Sequence, residues 1–562
     1  MESATMPPRG VAAPRTPSSL QTLRCSHVLL ATNDASKLQR LSCKATNGGG
    51  RVDRRDVLLG LGGAVAGGLA TSHGGGALAA PIQAPDLQDC HPPNIPDSAP
   101  DLSCCLTSRT GTEIVDFKPP PASAPLRVRP AAHLVDQEHL AKYERAVSLM
   151  KQLPDDDPRS FGQQWRVHCA YCDAAYDQIH NCWLFFPWHR FYLYFHERIL
   201  GKLINDDTFA LPFWNWDAPD GMALPAIYAN MSSPLYDERR NPAHQPPFTL
   251  DLDYSGTDST IPREQQIDQN LRIMYRQMIS SAKKTELFFG QPYRQGDQPD
   301  PGAGSVENVP HGPVHVWTGN PSLPNGEDMG NFYSAARDPA FFAHHGNVDR
   351  MWYIWNGLRP GNTGFTDADW LDAAFLFYDE DARLVRVRVR DCLDPSALRF
   401  TYQDVGLPWL NAKPPSETGS PAPATGALPA TLSQTVRVAV TRPRTSRSRR
   451  EKEEEEEVLC VEGIEVADHL KFVKFDVFVN VPSQSGAATP AAAECAGSVA
   501  LTPHAVRPGE GGRAVRTAAR FGICDLLDDI GADGEKTIVV SLVPRCAGDT
   551  VTVGGVRIQY VK

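Results

Sequence analysis

Apolar residues recur at helical spacing in the first part of the chain and in alternation in the last. From about Leu134 to Leu153, Leu140, Tyr143, Val147 and Met150 stand three or four apart, which predicts an amphipathic helix with its apolar stripe on a core. Pro187 opens a second predicted helix through Leu203, and Asp338 followed by Pro339 supplies the N-cap and first residue of a third. The period then changes. VRVRVR from Val385 alternates strictly and reads as a strand. Beyond residue 433, the segments VRVAV, VLCVEGIEV, KFVKFDVFVNV, TIVVSLVP and TVTVGGVRIQYV are short, alternating and parted by turns. They predict an antiparallel β-sandwich. Between the two parts, Lys413 to Ser433 is rich in Pro, Ala, Thr, Ser and Gly, the composition of a flexible, protease-accessible linker. The basic run Arg442 to Arg450, followed by Glu451 to Glu457, reads as a solvated hairpin loop.

Composition narrows the partners. A net charge of -11 over 562 residues argues against nucleic acid. No apolar stretch approaches the roughly 20 residues of a membrane span. Thirteen cysteines are many for a reducing compartment. Cys90, Cys104 and Cys105 lie in a Pro-rich, loop-like stretch that cross-links would fix, unless they are buried free thiols.

Residues 1 to about 50 contain only Glu2 and Asp34 as acids, the composition of an organelle transit peptide or of a disordered tail. Arg54 and Arg55 precede an apolar, Gly-rich run from Val57 to Ala70, and Ala77-Leu78-Ala79 offers a small-residue cleavage site. Residues 1–79 therefore read as a two-part address: a plastid transit peptide, then a twin-arginine signal taken by the translocation machinery into the thylakoid lumen. A direct secretory route is the rival, and only there would Asn230 meet the glycosylation machinery.

The candidate chemistry lies in histidines. His311 and His315 in HGPVH stand four apart, one helical turn, and His344 and His345 follow in DPAFFAHHGNVDRMW. A lone H-x-x-x-H is most often a pair of surface histidines. Here a second set, His168, His180 and His189, lies in the aromatic stretch HCAYCDAAYDQIHNCWLFFPWHRFYLYFHE. Two trios of neutral nitrogen donors in one apolar domain argue for two metals, with copper, zinc and iron all compatible.

FFPWHR, DPAFFAHHGNVDRMW, DWLDAAFLFYDE from Asp369 and KFDVFVNV from Lys474 together resemble the plant polyphenol oxidases, of catechol oxidase or tyrosinase type, over nearly the whole chain. The resemblance implies a mainly α catalytic domain (80–412) in which a four-helix bundle with long loops holds a coupled pair of type 3 coppers. It implies a linker (413–433) cut by an activating protease, and a C-terminal sandwich domain (434–562) that covers the site and keeps the enzyme latent. Small phenols, chiefly o-diphenols, would be oxidised to o-quinones while dioxygen is reduced to water. The implied ligands are His168, His180 and His189 for one copper and His311, His315 and His345 for the other, with His196 left to the core.

The resemblance further implies disulfides Cys90–Cys105 and Cys104–Cys169 and a thioether from Cys172 to His180. Glu307 would hold a water near the second copper and accept a phenolic proton. Phe332 would place a ring over the first copper, and Asp349, four residues after His345, would orient a ligand imidazole. Gly312 stands where many monophenol-active members carry Asn, which favours diphenol oxidation. One feature departs from the family: His168 and His180 are only twelve apart, a shorter loop than in most plant members. If that loop disrupts the first copper site, the chain is an inactive or merely oxygen-binding type 3 copper protein. A tyrosinase-type hydroxylase and a hemocyanin-like oxygen carrier would use the same six histidines. A zinc hydrolase would account for H-x-x-x-H alone and has no need of six.

Overall fold

The predicted helices form, with boundaries set by their caps. A computed structural model describes residues 80–562 apart from 93–94, 100–102, 108–111, 173–174, 417–418, 484–487 and 505–515, so the transit and twin-arginine segments at 1–79 lie outside the described residues. Helix α1 (Gln137–Gln152) starts three residues later than its apolar pattern suggests, because the Asp136 side chain accepts the His139 N–H at 2.8 Å and ends the preceding turn. Helix α2 (Phe161–Cys172) carries His168. Helix α3 (Phe185–Ile204) begins two residues before Pro187, which costs nothing, since the first-turn N–H groups have no intrahelical partner. Helices α4 (Arg263–Tyr275) and α5 (Thr285–Phe289) lie in the long connection that follows. A wide helical turn, Glu307–His311, leads into α6 (Gly312–Thr318). Helix α7 (Ala340–Leu358) is capped as expected by Asp338, whose Oδ1 accepts the Ala340 N–H at 2.8 Å.

Short strands flank the helices: β1 (Ile114–Asp116), β2 (Arg127–Arg129), β3 (Ala374–Tyr378), β4 (Leu384–Arg388) and β5 (Phe400–Tyr402). β4 pairs in parallel with β1 and antiparallel with β3, and β2 pairs in parallel with β5. The C-terminal part holds β6 (Ala430–Thr431), β7 (Val436–Thr441), β8 (Glu456–Val466), β9 (Val473–Val479), β10 (Cys495–Leu501), β11 (Arg516–Gly522), β12 (Thr537–Cys546) and β13 (Val551–Val561). These make two four-stranded sheets, ordered β10-β9-β12-β7 and β11-β8-β13-β6, with every pairing antiparallel. Alternate residues of both sheets, among them Leu459, Val461, Phe475, Val477, Val540 and Val553, share one buried cluster.

The charged run between β7 and β8 departs from the expectation of a solvated loop. Arg442 is fully buried and its guanidinium holds Glu457 through two bonds of 2.8 and 3.0 Å. Ser448 caps a short helical turn, Arg449–Glu454, which faces water, as do Pro443, Arg444 and Ser446 before it. Two disulfides, Cys90–Cys105 and Cys104–Cys169, tie the N-terminal arm to α2 beside His168. Among the described residues no helix is long and apolar enough to cross a membrane.

A buried ionic network joins the two longest helices. Arg190 on α3 meets Asp349 on α7 at 2.6 Å, and its guanidinium lies 3.4 Å over the Trp352 ring. Arg129 on β2 reaches both Glu197 on α3, at 2.9 Å, and Asp349, at 3.4 Å. Arg127 pairs with the other oxygen of Glu197, and Tyr402 hydrogen-bonds Asp349 and Arg129. Asp349 therefore does not orient an imidazole, because both of its oxygens are taken up by these donors. Removing one partner of such a set strands buried charge. Asp349→Ala is predicted to lower stability by about 3–5 kcal/mol, measured as a shift in urea midpoint, and an unchanged midpoint would show the network to be dispensable.

Candidate metal centre

Six segments bring their histidines to one place. His168 projects from α2, His180 from the loop after it and His189 from the first turn of α3, and a ligand nitrogen of each lies within 4.8 Å of the others. His311, His315, His344 and His345 form a second group by the same measure, from the turn before α6, from α6 and from α7. All seven are buried. The two groups face each other: the His189 and His345 rings stack 4.2 Å apart at 10°. His344 is a fourth member of the second group, where the motifs imply three. It stacks on His311 at 5.4 Å and lies beside Trp216.

The short loop does not keep His180 away. Its ring centroid lies 5.4 Å from that of His168 and 5.0 Å from that of His189. The turn is made by Asn181, which adopts a left-handed conformation (φ 55°) and gives its N–H to Glu307 Oε1 at 2.5 Å. The Asn181 and Gln178 side-chain amides both donate to Asp300 Oδ1, at 3.2 and 3.3 Å. Phe332 stacks on the His180 ring at 4.1 Å and 22°.

Hydrogen bonding fixes which ring nitrogen points inward. His168 Nδ1 meets the Phe332 carbonyl oxygen, His189 Nδ1 that of Phe185, His311 Nδ1 that of Glu307, and His315 Nδ1 that of Met329, at 2.8–3.0 Å. A carbonyl only accepts, so each Nδ1 carries the proton and each Nε2 presents a bare lone pair. The Nε2 atoms of His168, His189 and His311, and both ring nitrogens of His180, are buried with no protein partner. His315 Nε2 and His345 Nε2 converge to 3.2 Å. So many stranded donors in a dry site fit cations between them.

Burial, with repulsion from neighbouring imidazoles, holds His168, His180, His311, His344 and His345 well below the ordinary histidine range. Burial carries His189 down to about 3, with a smaller contribution from His315, and carries His315 to about 4, in both cases against the pull of the carbonyl partner. Every imidazole is thus neutral and available. A neutral, all-nitrogen donor set split into two facing groups suits a pair of coppers better than the mixed oxygen donors and open position of a hydrolytic zinc.

The other expected residues gather around this centre. Glu307 is buried, which pushes its carboxyl well above the usual range, and it accepts N–H groups from Asn181 and Gly304. Gly312 lies against the C-terminal part, and a Cβ there would stand 2.8 Å from Thr502 Oγ1. Cys172 is buried and outside the two disulfides. His196 stacks on Phe342 at 3.6 Å and bonds Gln164, a core residue as expected.

The segment just after β10 has no counterpart among the sequence motifs. The Pro503 carbonyl oxygen accepts the Phe332 N–H at 3.3 Å, and Ala500 N–H bonds Asn308 Oδ1 at 2.8 Å. His504 Nε2 lies 3.0 Å from Asp300 Oδ2. A short strand, CAGSVAL, followed by TPH carries no signal that it will cross to another domain's site.

Residues 158–358 match the common central domain of tyrosinase, 364–415 the polyphenol oxidase middle domain, and 428–560 the chloroplastic polyphenol oxidase C-terminal domain. The chain belongs to the plant polyphenol oxidase family. It is 49% identical over 595 residues to a chloroplastic polyphenol oxidase of Malus domestica, covering 98% of this chain and 97% of that one. It is also 49% identical over 502 residues to aureusidin synthase of Antirrhinum majus, covering 85% and 89%. The structure of latent apple tyrosinase superposes with a TM-score of 0.76 at 52% identity, over 80% of this chain and all of that one.

The depressed imidazoles have a measurable consequence. Below the ordinary histidine pKa of about 6.5 the unfolded chain binds protons that the folded chain refuses, so stability rises with pH in that range. Unfolding midpoints of the metal-free protein are predicted to fall steadily as pH drops from about 6.5 toward 4, with no further gain from these groups above 7. A flat profile across that window would mean that the histidines are not buried as a neutral set.

Proposed function

We propose that this chain is a plastid catechol oxidase, delivered to the thylakoid lumen and made latent by its own C-terminal domain. The observation that carries the reading is the pair of facing imidazole groups, dry and neutral, with Phe332 stacked on one of their rings. His168, His180 and His189 would hold one copper, and His311, His315 and His345 the other. His345 is favoured over His344 because its ring also stacks on His189 of the first group. Cys172 is assigned to a thioether with His180, which would further fix the short loop. When bound, the two coppers supply the two-electron redox chemistry that couples oxidation of two catechols to two o-quinones with reduction of one dioxygen to two waters.

The protein's own residues supply binding and proton handling. Phe332 offers a ring face against which a phenol packs, and its carbonyl fixes the tautomer of His168. Glu307, held by the Asn181 N–H, would accept a phenolic proton directly or through a water; burial favours its protonated form, and the two copper ions, when bound, would offset that. Gly312 offers no side-chain amide to order that water, which supports diphenol oxidation over monophenol hydroxylation. The segment from Ala500 to His504 supports latency, since it lies against Asn308, Phe332 and Asp300 around the site. Cutting within 413–433 by a lumenal protease would let that domain leave.

The test is catechol oxidation by the copper-loaded full-length protein before and after limited proteolysis in the linker. Low activity that rises on cutting is the expected result; no quinone under either condition contradicts the reading. In the cut enzyme, Glu307→Gln is predicted to reduce kcat roughly a hundredfold while leaving copper content unchanged.

A further inference from the structure

The side chain drawn over the mouth of the metal centre is itself a planar ring carrying a hydrogen-bonding nitrogen. His504, 3% exposed, has its centroid 5.6 Å from that of Phe332, with the two rings tilted at 37°. One nitrogen, Nδ1, lies 2.6 Å from the Thr502 carbonyl oxygen within its own segment. The other, Nε2, reaches across to Asp300 Oδ2.

Asp300 is a divided carboxylate. It is 4% exposed, and its Oδ1 is committed to the Gln178 and Asn181 amides that shape the His180 loop. Its backbone is left-handed (φ 58°), which turns the side chain back toward that loop. Oδ2 points the other way, at His504. Burial works against the charge, but His504 and the two amides outweigh it and hold the carboxyl below the usual range. When the C-terminal domain is displaced, His504 goes with it, as does His469 beside it. Oδ2, covered while that domain is in place, then faces the space that His504 leaves beside Phe332. A carboxylate oxygen so placed pairs best with a charged donor, while a second carboxylate brought against it is repelled.

We propose that Asp300 is a specificity-determining residue whose Oδ2 receives the ring substituent of the substrate in place of His504. The enzyme then prefers catechols bearing an ammonium or another hydrogen-bond donor, and discriminates against those bearing a carboxylate. This rests on the oxidase reading above.

The experiment uses the copper-loaded full-length protein, cut in the linker, with three probes: 3,4-dihydroxyphenethylamine, neutral 4-methylcatechol and 3,4-dihydroxycinnamate. The wild type should rank them in that order by kcat/KM, and the amine-to-acid ratio should fall with added salt. Asp300→Asn should cut the ratio about tenfold, mainly through KM, the size expected for losing a charge-assisted hydrogen bond. General damage to the His180 loop would lower all three probes together, so normalising to 4-methylcatechol removes it. A ratio unchanged in D300N, or insensitive to salt in the wild type should the variant not fold, overturns the proposal. If none of the three is oxidised, the oxidase reading fails separately. Calorimetric binding of phenethylamine, which lacks the hydroxyls, to wild type and D300N then decides the role of Asp300: tenfold weaker binding in the variant supports it, and equal binding overturns it.

Discussion

The salt bridge between Arg190 and Asp349 is the contact on which the rest of the site depends. Arg190 follows His189 directly on α3, and Asp349 lies one turn after His345 on α7, so the ion pair is a strut set just behind the two facing rings. Arg129 and Glu197 extend it sideways to β2 and further along α3, and Tyr402 closes it from β5. A cluster of neutral imidazoles has no attraction of its own to hold it together, since the rings bring buried lone pairs to a place with few protein donors. The cost of crowding them is offset by the ionic and aromatic framework around them. In this chain the framework is strong because its charges are buried and multiply bonded, with the Arg190 guanidinium also lying on Trp352.

A second constraint is that the centre must be dry and yet reachable. The catalytic part solves the first demand with aromatic rings, Phe185, Phe332 and Phe341 all packing on ligand imidazoles. The C-terminal sheets bear on the second, because their residues lie against the rim of the centre. A buried Lys474 on β9, set between Asp253 of the catalytic part and Asp476, anchors the domain at 3.0 and 2.8 Å. The segment after β10 then reaches the rim of the site. Gly312 belongs to this fit as much as to the chemistry, because any side chain there would meet Thr502.

Much of this is legible in the sequence because it follows local rules. The helices that carry His189 and His345 announce themselves by Pro187 and by Asp338 with Pro339, and five of the eight C-terminal strands by alternation. The disulfide partners and the two histidine groups are implied by the family motifs, and the structure brings each of them together. What is not legible depends on contacts distant in sequence. Asp349 looks like a partner for an imidazole one turn away, but arginines from α3 and β2 claim it. Arg442 looks solvated within a charged run, and instead finds Glu457 on a strand of the other sheet. His344 cannot be told from His345 by pattern alone, and the approach of Thr502, Pro503 and His504 to Phe332 and Gly312 has no signature at all. The short loop after His168 looks like a threat to the first histidine group. A left-handed Asn181, directly after His180, and its bonds to Glu307 and Asp300 hold that end of the loop at the site.

The central claim is that two complete histidine sites stand side by side despite that loop. Copper bound per chain, determined on the reconstituted full-length protein, tests it most directly. Two coppers in the wild type, one in His180→Ala and two in His344→Ala are the values this arrangement requires. A single copper in the wild type, undiminished by His180→Ala, would mean that the first group does not bind metal and that the facing geometry has no functional partner.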